Sequence, residues 1–141
     1  MTRLVHPGLG RGQNPLPIES FPFVGAMDVD EVRSDPDEPS PCLPTASSCW
    51  LEVRPDRPGT LLVDLAGSTP LDPLVRLYRR VGSRPGTLVF LGCASPVWNG
   101  NLVLEADVRA GETYAVQVGT SESRSGRVVL RAELRDRPLV A

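Results

Sequence analysis

Three cysteines, Cys42, Cys49 and Cys93, are the residues best suited to covalent chemistry in this sequence. An odd number allows at most one internal bridge and leaves one thiol over. Their spacing matches no zinc ribbon, and the single histidine, His6, lies in a Pro/Gly-rich opening far from all of them. A thiolate nucleophile needs an adjacent base, and none is at hand. All 15 basic residues are arginine. Schiff-base chemistry and a P-loop lysine are thereby excluded. No G-x-S-x-G is present, and the stretches 45–48 and 120–125 read as loops rather than as settings for a serine nucleophile. Asp64, Asp72 and Asp107 remain as candidates for acid–base work, but isolated carboxylates on strands and turns mostly serve as caps or solvated faces. No catalytic residue is assigned, and the chain is expected not to be an enzyme.

Two segments hold candidate binding groups. The acidic run Asp28, Asp30, Glu31, Asp35, Asp37 and Glu38 offers oxygen ligands, and calcium wants about six to eight of them from a loop that can wrap it. The EF-hand glycine and terminal glutamate are missing at the required spacing, and prolines stiffen the run. A solvated acidic loop is therefore expected, with no metal site assigned and calcium the one conceivable cofactor. Glu38 has a structural use open to it, pinning the loop by accepting backbone N–H bonds. The other segment is Ser95-Pro96-Val97-Trp98-Asn99-Gly100-Asn101, where Asn-Gly signals a turn. A loop tryptophan beside amides can stack on a sugar ring or grip a chain, so Trp98 and Asn99 are the candidate ligand-binding residues. The more ordinary use of such a tryptophan is to fold back and plug the end of the domain. Trp50, in a strand register, is expected to pack, with the Arg54 stem as one neighbour. Arg76, Arg79, Arg80 and Arg84 cluster on one hairpin and read as a solvated, charge-blunted sheet edge.

The elements that must position these groups follow from composition and alternation. The chain has 141 residues, 40% hydrophobic and 23% charged, which suits one domain with a real core. Basic and acidic residues stand at 15 against 17, so the basic footprint of a nucleic-acid binder is absent. Apolar runs are strand-sized, which predicts no membrane span, and the opening has no apolar run of signal-peptide length. Residues 1–15 read as a flexible leader, 16–137 as the domain and 138–141 as a tail. Proline confines the segment 16–24 to a sheet edge. Period-two alternation then marks strands beginning near Cys49, Thr60, Leu74, Leu102, Tyr114 and Val128. The run from Thr87 to Cys93 is almost continuously apolar, as in a strand buried on both faces. No window carries a helical stripe over three turns. The expected fold is all-β, an antiparallel jelly-roll-like β-sandwich of about eight strands.

Ordered pieces of the sequence resemble bacterial pre-peptidase C-terminal domains. Phe21-Pro22-Phe23, Asp28 and the acidic run into Cys42 resemble that family's opening strand, lone aspartate and acidic loop. Ser48-Cys49-Trp50 onward, Val63-Asp64-Leu65-Ala66-Gly67-Ser68, and Leu71-Asp72-Pro73-Leu74-Val75 through Tyr78 are similar to its middle strands. Leu88 to Cys93, Ala110-Gly111-Glu112-Thr113-Tyr114 through Gly119, and Ser125 to Leu130 are similar to its close. The resemblance implies a non-catalytic jelly-roll module beside exported proteins, aiding secretion, solubility or adhesion. The implied partners are carbohydrate, fibrous protein or a linked catalytic domain, in an extracellular or cell-envelope setting. A purely structural domain without a ligand is the alternative. Cys42 and Cys93 stand where many relatives have cysteine, so a Cys42–Cys93 disulfide is the pairing implied; two reduced thiols are equally compatible with the residues alone. The family's Asn-Asp after the later cysteine is replaced by Ala94-Ser95-Pro96, which removes acidic ligands there. Cys49 replaces a usual valine and reads as core filler.

Overall fold

A computed structural model of the chain describes residues 1–4, 15–34, 38–82 and 86–136. In chain order the strands are β1 (Thr2–Arg3), β2 (Leu16–Ile18), β3 (Phe23–Asp28), β4 (Ser47–Val53), β5 (Gly59–Asp64), β6 (Pro73–Val81), β7 (Thr87–Ala94), β8 (Val103–Val108), β9 (Thr113–Thr120) and β10 (Arg127–Asp136), with one 3-10 turn at Val29–Glu31. They form two five-stranded sheets, β1-β3-β10-β5-β8 and β2-β4-β9-β6-β7.

The eight strands from β3 to β10 pair as a single nested hairpin. β3 pairs with β10, β4 with β9, β5 with β8 and β6 with β7, all antiparallel. Rolling that ribbon up brings β10 against β5 and β9 against β6, which closes the two sheets of a jelly roll. The expected sandwich is present. β1 and β2 are additions at the far edges, pairing in parallel with β3 and β4, so each sheet is mixed rather than wholly antiparallel.

Alternation produces the core. Leu61 and Val63 of β5 and Val128, Leu130 and Ala132 of β10 face Leu51 and Val53 of β4, Val116 and Val118 of β9, and Val75 and Leu77 of β6. Each such side chain contributes roughly 1.5–3 kcal/mol by leaving water. In β5 and β10 the intervening residues stay partly or fully exposed, as expected of a sheet with one wet face.

Four expectations need correction. The leader expected at 1–15 does not begin the chain as a leader: Thr2 and Arg3 pair with β3, and Leu4 is only 3% exposed in the core. Residues 5–14 and the tail at 138–141 lie outside the described residues. The segment 16–24 divides between two sheets, with Pro17 on edge strand β2 and Pro22 ahead of β3. Ser47 and Ser48, read as loop, begin β4 and are buried. The run Thr87–Cys93 is not buried on both faces. As β7 it is the last strand of its sheet, and Val89, Phe90 and Leu91 are exposed. An apolar run reports hydrophobicity, and it cannot say whether a second neighbour exists.

Candidate functional site

In sheet β2-β4-β9-β6-β7 the central strands β4, β9 and β6 are buried on their outer face as well as their inner one. Cross-strand register puts Trp50 (β4), Gln117 (β9), Arg76 (β6) and Cys93 (β7) in one outward-facing row. Residues 38–46 cross this row as a strap. Arg76 is the pin. It is 1% exposed and donates from Nε to the Pro41 carbonyl (2.7 Å), and from Nη2 to that of Leu43 (2.5 Å). Its Nη1 donates to Thr45 Oγ1 (2.7 Å) and Gln117 Oε1 (3.1 Å). The Tyr78 hydroxyl donates to the same Gln117 oxygen at 2.9 Å, and its ring centre lies 5.6 Å from that of Trp50. Burial lowers the Arg76 pKa and raises that of Tyr78, which favours a neutral phenol as donor.

Glu38 fixes the start of the strap. Its carboxylate accepts from Ser48 Oγ (2.7 Å) and Trp50 Nε1 (2.6 Å), side-chain donors where backbone ones were expected. Trp50 packs, as expected, with Tyr78 against its ring and Glu38 on its indole N–H. Cys42 and Cys93 are joined in a disulfide that ties the strap to β7. Cys42 has φ of 76°, a left-handed conformation that bulky residues adopt only when held. It is held on three sides: its sulfur by Cys93 and the flanking carbonyls by Arg76. Cys49 is a free, buried thiol whose pKa burial pushes up to about 12, with the charge of Glu38 adding to the effect. That protonated thiol is core filler, as expected, and a poor nucleophile.

The arginine cluster divides. Arg76 and Arg80 are buried, contrary to the solvated edge expected of them, while Arg79 is half-buried and Arg84 lies outside the described residues. The signal for this was available in part. Outward positions of β4 and β6 hold Trp50 and Tyr78 where a wet face would hold polar residues. Gln117 and Ser48 gave no signal, because polar residues at outward positions look the same whether covered or not.

The candidate carboxylates do not converge. Asp64 and Asp107 stand at opposite ends of the β5–β8 ladder, opposite Val103 and Thr60. Asp64 accepts the Ala66 N–H, and Asp107 the Thr60 hydroxyl. Asp72, just ahead of β6 in the other sheet, closes the loop after β9, accepting the N–H groups of Glu122 (2.6 Å) and Ser123 (2.8 Å) and the Ser123 hydroxyl. Burial pushes the Asp72 carboxyl up, but the Ser123 hydroxyl and those N–H groups outweigh it and hold the group below its ordinary value. In the acidic run, Asp28 pairs with Arg127 and Glu31 with Arg3. Asp35 and Asp37 lie outside the described residues. Among the described residues no group of three His, Cys, Asp or Glu side chains is placed to hold a metal ion.

Trp98 is 56% exposed and does not plug the sandwich. It rides on the turn between β7 and β8, where the Ser95 carbonyl accepts the N–H of Trp98 (3.1 Å) and of Asn99 (3.0 Å). Asn99 builds that turn. Its Oδ1 accepts from Ser95 N (3.2 Å) and Asn101 N (3.3 Å), and its Nδ2 donates to the Cys93 carbonyl (3.1 Å). The two candidate residues therefore have separate jobs: Asn99 holds the loop and Trp98 is displayed by it. Val97, Leu102 and Val103 are exposed nearby, as are Val89, Phe90 and Leu91 along β7. Among the described residues no helix is long and apolar enough to cross a membrane. No protein-family model matches the chain, and no curated protein matches it.

Proposed function

We propose that this chain is a non-catalytic accessory or binding module of the pre-peptidase C-terminal kind, which holds an extended polymer against Trp98. The observation that carries the reading is an exposed indole on a turn whose backbone is fastened by Asn99 and Ser95. An aromatic surface held in place before the ligand arrives loses little conformational freedom on binding. The disulfide supports an extracellular or cell-envelope setting, since such bonds persist in oxidising compartments. Carbohydrate and fibrous protein both present the repeated faces that a lone indole can stack on. The family likeness rests on the sequence pieces quoted above and supports the same class of role.

The test is a glycan and collagen array probed with the oxidised chain and with Trp98→Ala. Loss of a hit by at least about thirtyfold, with an unchanged melting temperature, supports the reading. A hit that survives the substitution overturns Trp98 as the site, and no hit at all favours the purely structural alternative. That alternative draws on the strap, which covers the outer face of β4, β9 and β6 with internal bonds.

A further inference from the structure

A cleft of about 280 Å³ opens on the side of the sandwich where β7 and β8 form the edges of their sheets. Arg79, Leu91 and Tyr114 line it from one sheet, and Asp107 and Arg109 from the other. Its donors outnumber its acceptors. Among the arginines of the described residues, only Arg33, Arg79, Arg109 and Arg124 have side chains that bond to no other group, and two of those four stand in this cleft. The Arg79 Nε–H is buried without an acceptor. The Tyr114 hydroxyl accepts the Arg109 N–H at 2.9 Å, which leaves its own proton to donate. Tyr114 is 3% exposed, so the proton has few places to go. Asp107 is the one acid of the wall, and it accepts the Thr60 hydroxyl.

Leu91 supplies the remaining wall. It is the extra residue of a bulge: Leu77 pairs with Gly92 and Tyr78 with Phe90, which leaves Leu91 without a cross-strand partner and 44% exposed. Bulges re-aim side chains, and this one sets an apolar surface beside the two cations.

We propose that the cleft is a binding site for a carboxylate carried on a short hydrocarbon body. The planar carboxylate matches the guanidinium fork and accepts the tyrosine proton, while the hydrocarbon covers Leu91. Two cations without bonded partners, facing one small space, favour an anion there whatever its source. The site stands apart from the Trp98 turn, toward the other end of β7, so it does not depend on the reading given for that turn.

The experiment is a titration of the full oxidised chain, followed by the backbone amide and arginine Nε–Hε resonances, with hexanoate, its neutral amide and inorganic phosphate as probes. Saturable shifts with hexanoate at Arg79 Nε, Arg109 Nε and the Arg109 amide are expected, with the neutral amide inert and phosphate weaker. Arg109→Gln, an exposed substitution, is expected to weaken hexanoate by at least about tenfold without moving the melting temperature. Arg124→Gln, an unbonded arginine outside the cleft, should leave binding unchanged. The proposal is overturned if hexanoate gives no saturable shift or if the neutral amide or phosphate binds as well. Hexanoate affinity that survives Arg109→Gln, or falls equally with Arg124→Gln, overturns it too.

Discussion

Replacing Arg76 with methionine tests the strap directly. Methionine fills most of the volume of the arginine stem, so the change removes the guanidinium with little cavity. Four acceptors lose a donor: the carbonyls of Pro41 and Leu43, Thr45 Oγ1 and Gln117 Oε1. A hydrogen bond from a charged group contributes about 1.5–3 kcal/mol net, but simple addition overstates the loss. Burial already disfavours the charged guanidinium, the Gln117 oxygen keeps its bond from Tyr78, and the half-buried carbonyls can recruit water. What remains is about 3 kcal/mol, the low end for removing one partner from a buried charged network. For a domain of this size that lowers the melting temperature by roughly 10 °C. Arg54→Met is the control, because Arg54 is exposed and bonds only the Thr113 hydroxyl; it should cost less than about 1 kcal/mol. Thermal melts give the magnitude, and hydrogen exchange gives the place. The Ala46 amide, bonded to the Thr120 carbonyl, should lose protection first. If Arg76→Met melts within about 3 °C of the parent, or exchange rises evenly over the sandwich, the pin is not holding the strap.

Two further outcomes follow from ionisation. The Asp72 carboxyl titrates lower in the folded chain than its ordinary 3.8, so between the two values the unfolded chain binds a proton that the folded chain does not. Stability is therefore lost as pH falls below 3.8 through the folded value; Asp72→Asn should remove that dependence from acid melts while costing about 1 kcal/mol at neutral pH, and an acid limb left intact would contradict it. For the cysteines, thiol titration in denaturant should find one group before reduction and three after, with the Cys49 thiol unreactive in the native protein because burial holds it at about 12; three groups before reduction would contradict the bridge.

Alternation was enough to place most of this fold. Every second residue of β5 and β10 is buried, so two faces can be read from the letters alone, and the same holds for Cys49, Leu51 and Val53 of β4. It misled at the other faces of β4, β6 and β9. There the strap turns an outward row into an interior, and Arg76 and Gln117 become buried polar residues. What covers a sheet is a long-range contact, and no local period encodes it. β7 fails for the converse reason: its apolar letters suit two neighbours, and the topology supplies one. Asn99 was singled out as a ligand-binding residue, and in the structure its amide builds the turn that carries Trp98. An amide that caps its own turn and one that meets a ligand have the same sequence signal, and only the acceptor positions separate them.

One residue links the sealed face to the displayed one. Cys93 bonds the strap through its sulfur, while its carbonyl accepts Asn99 Nδ2 and so anchors the turn that carries Trp98. The strap and the turn thus share a fixed point at the end of β7. An edge strand with one neighbour is ordinarily the part of a sheet that frays, because it has the fewest bonds to lose. Here the covalent tie falls where fraying would begin, and the exposed indole lies five residues beyond it. A flexible loop would pay the entropy of ordering on each encounter, whereas a turn fastened to a cross-linked strand has lost that freedom at folding. The strap therefore has a consequence outside the surface it covers: by immobilising the end of β7 it makes a lone aromatic side chain into a fixed platform.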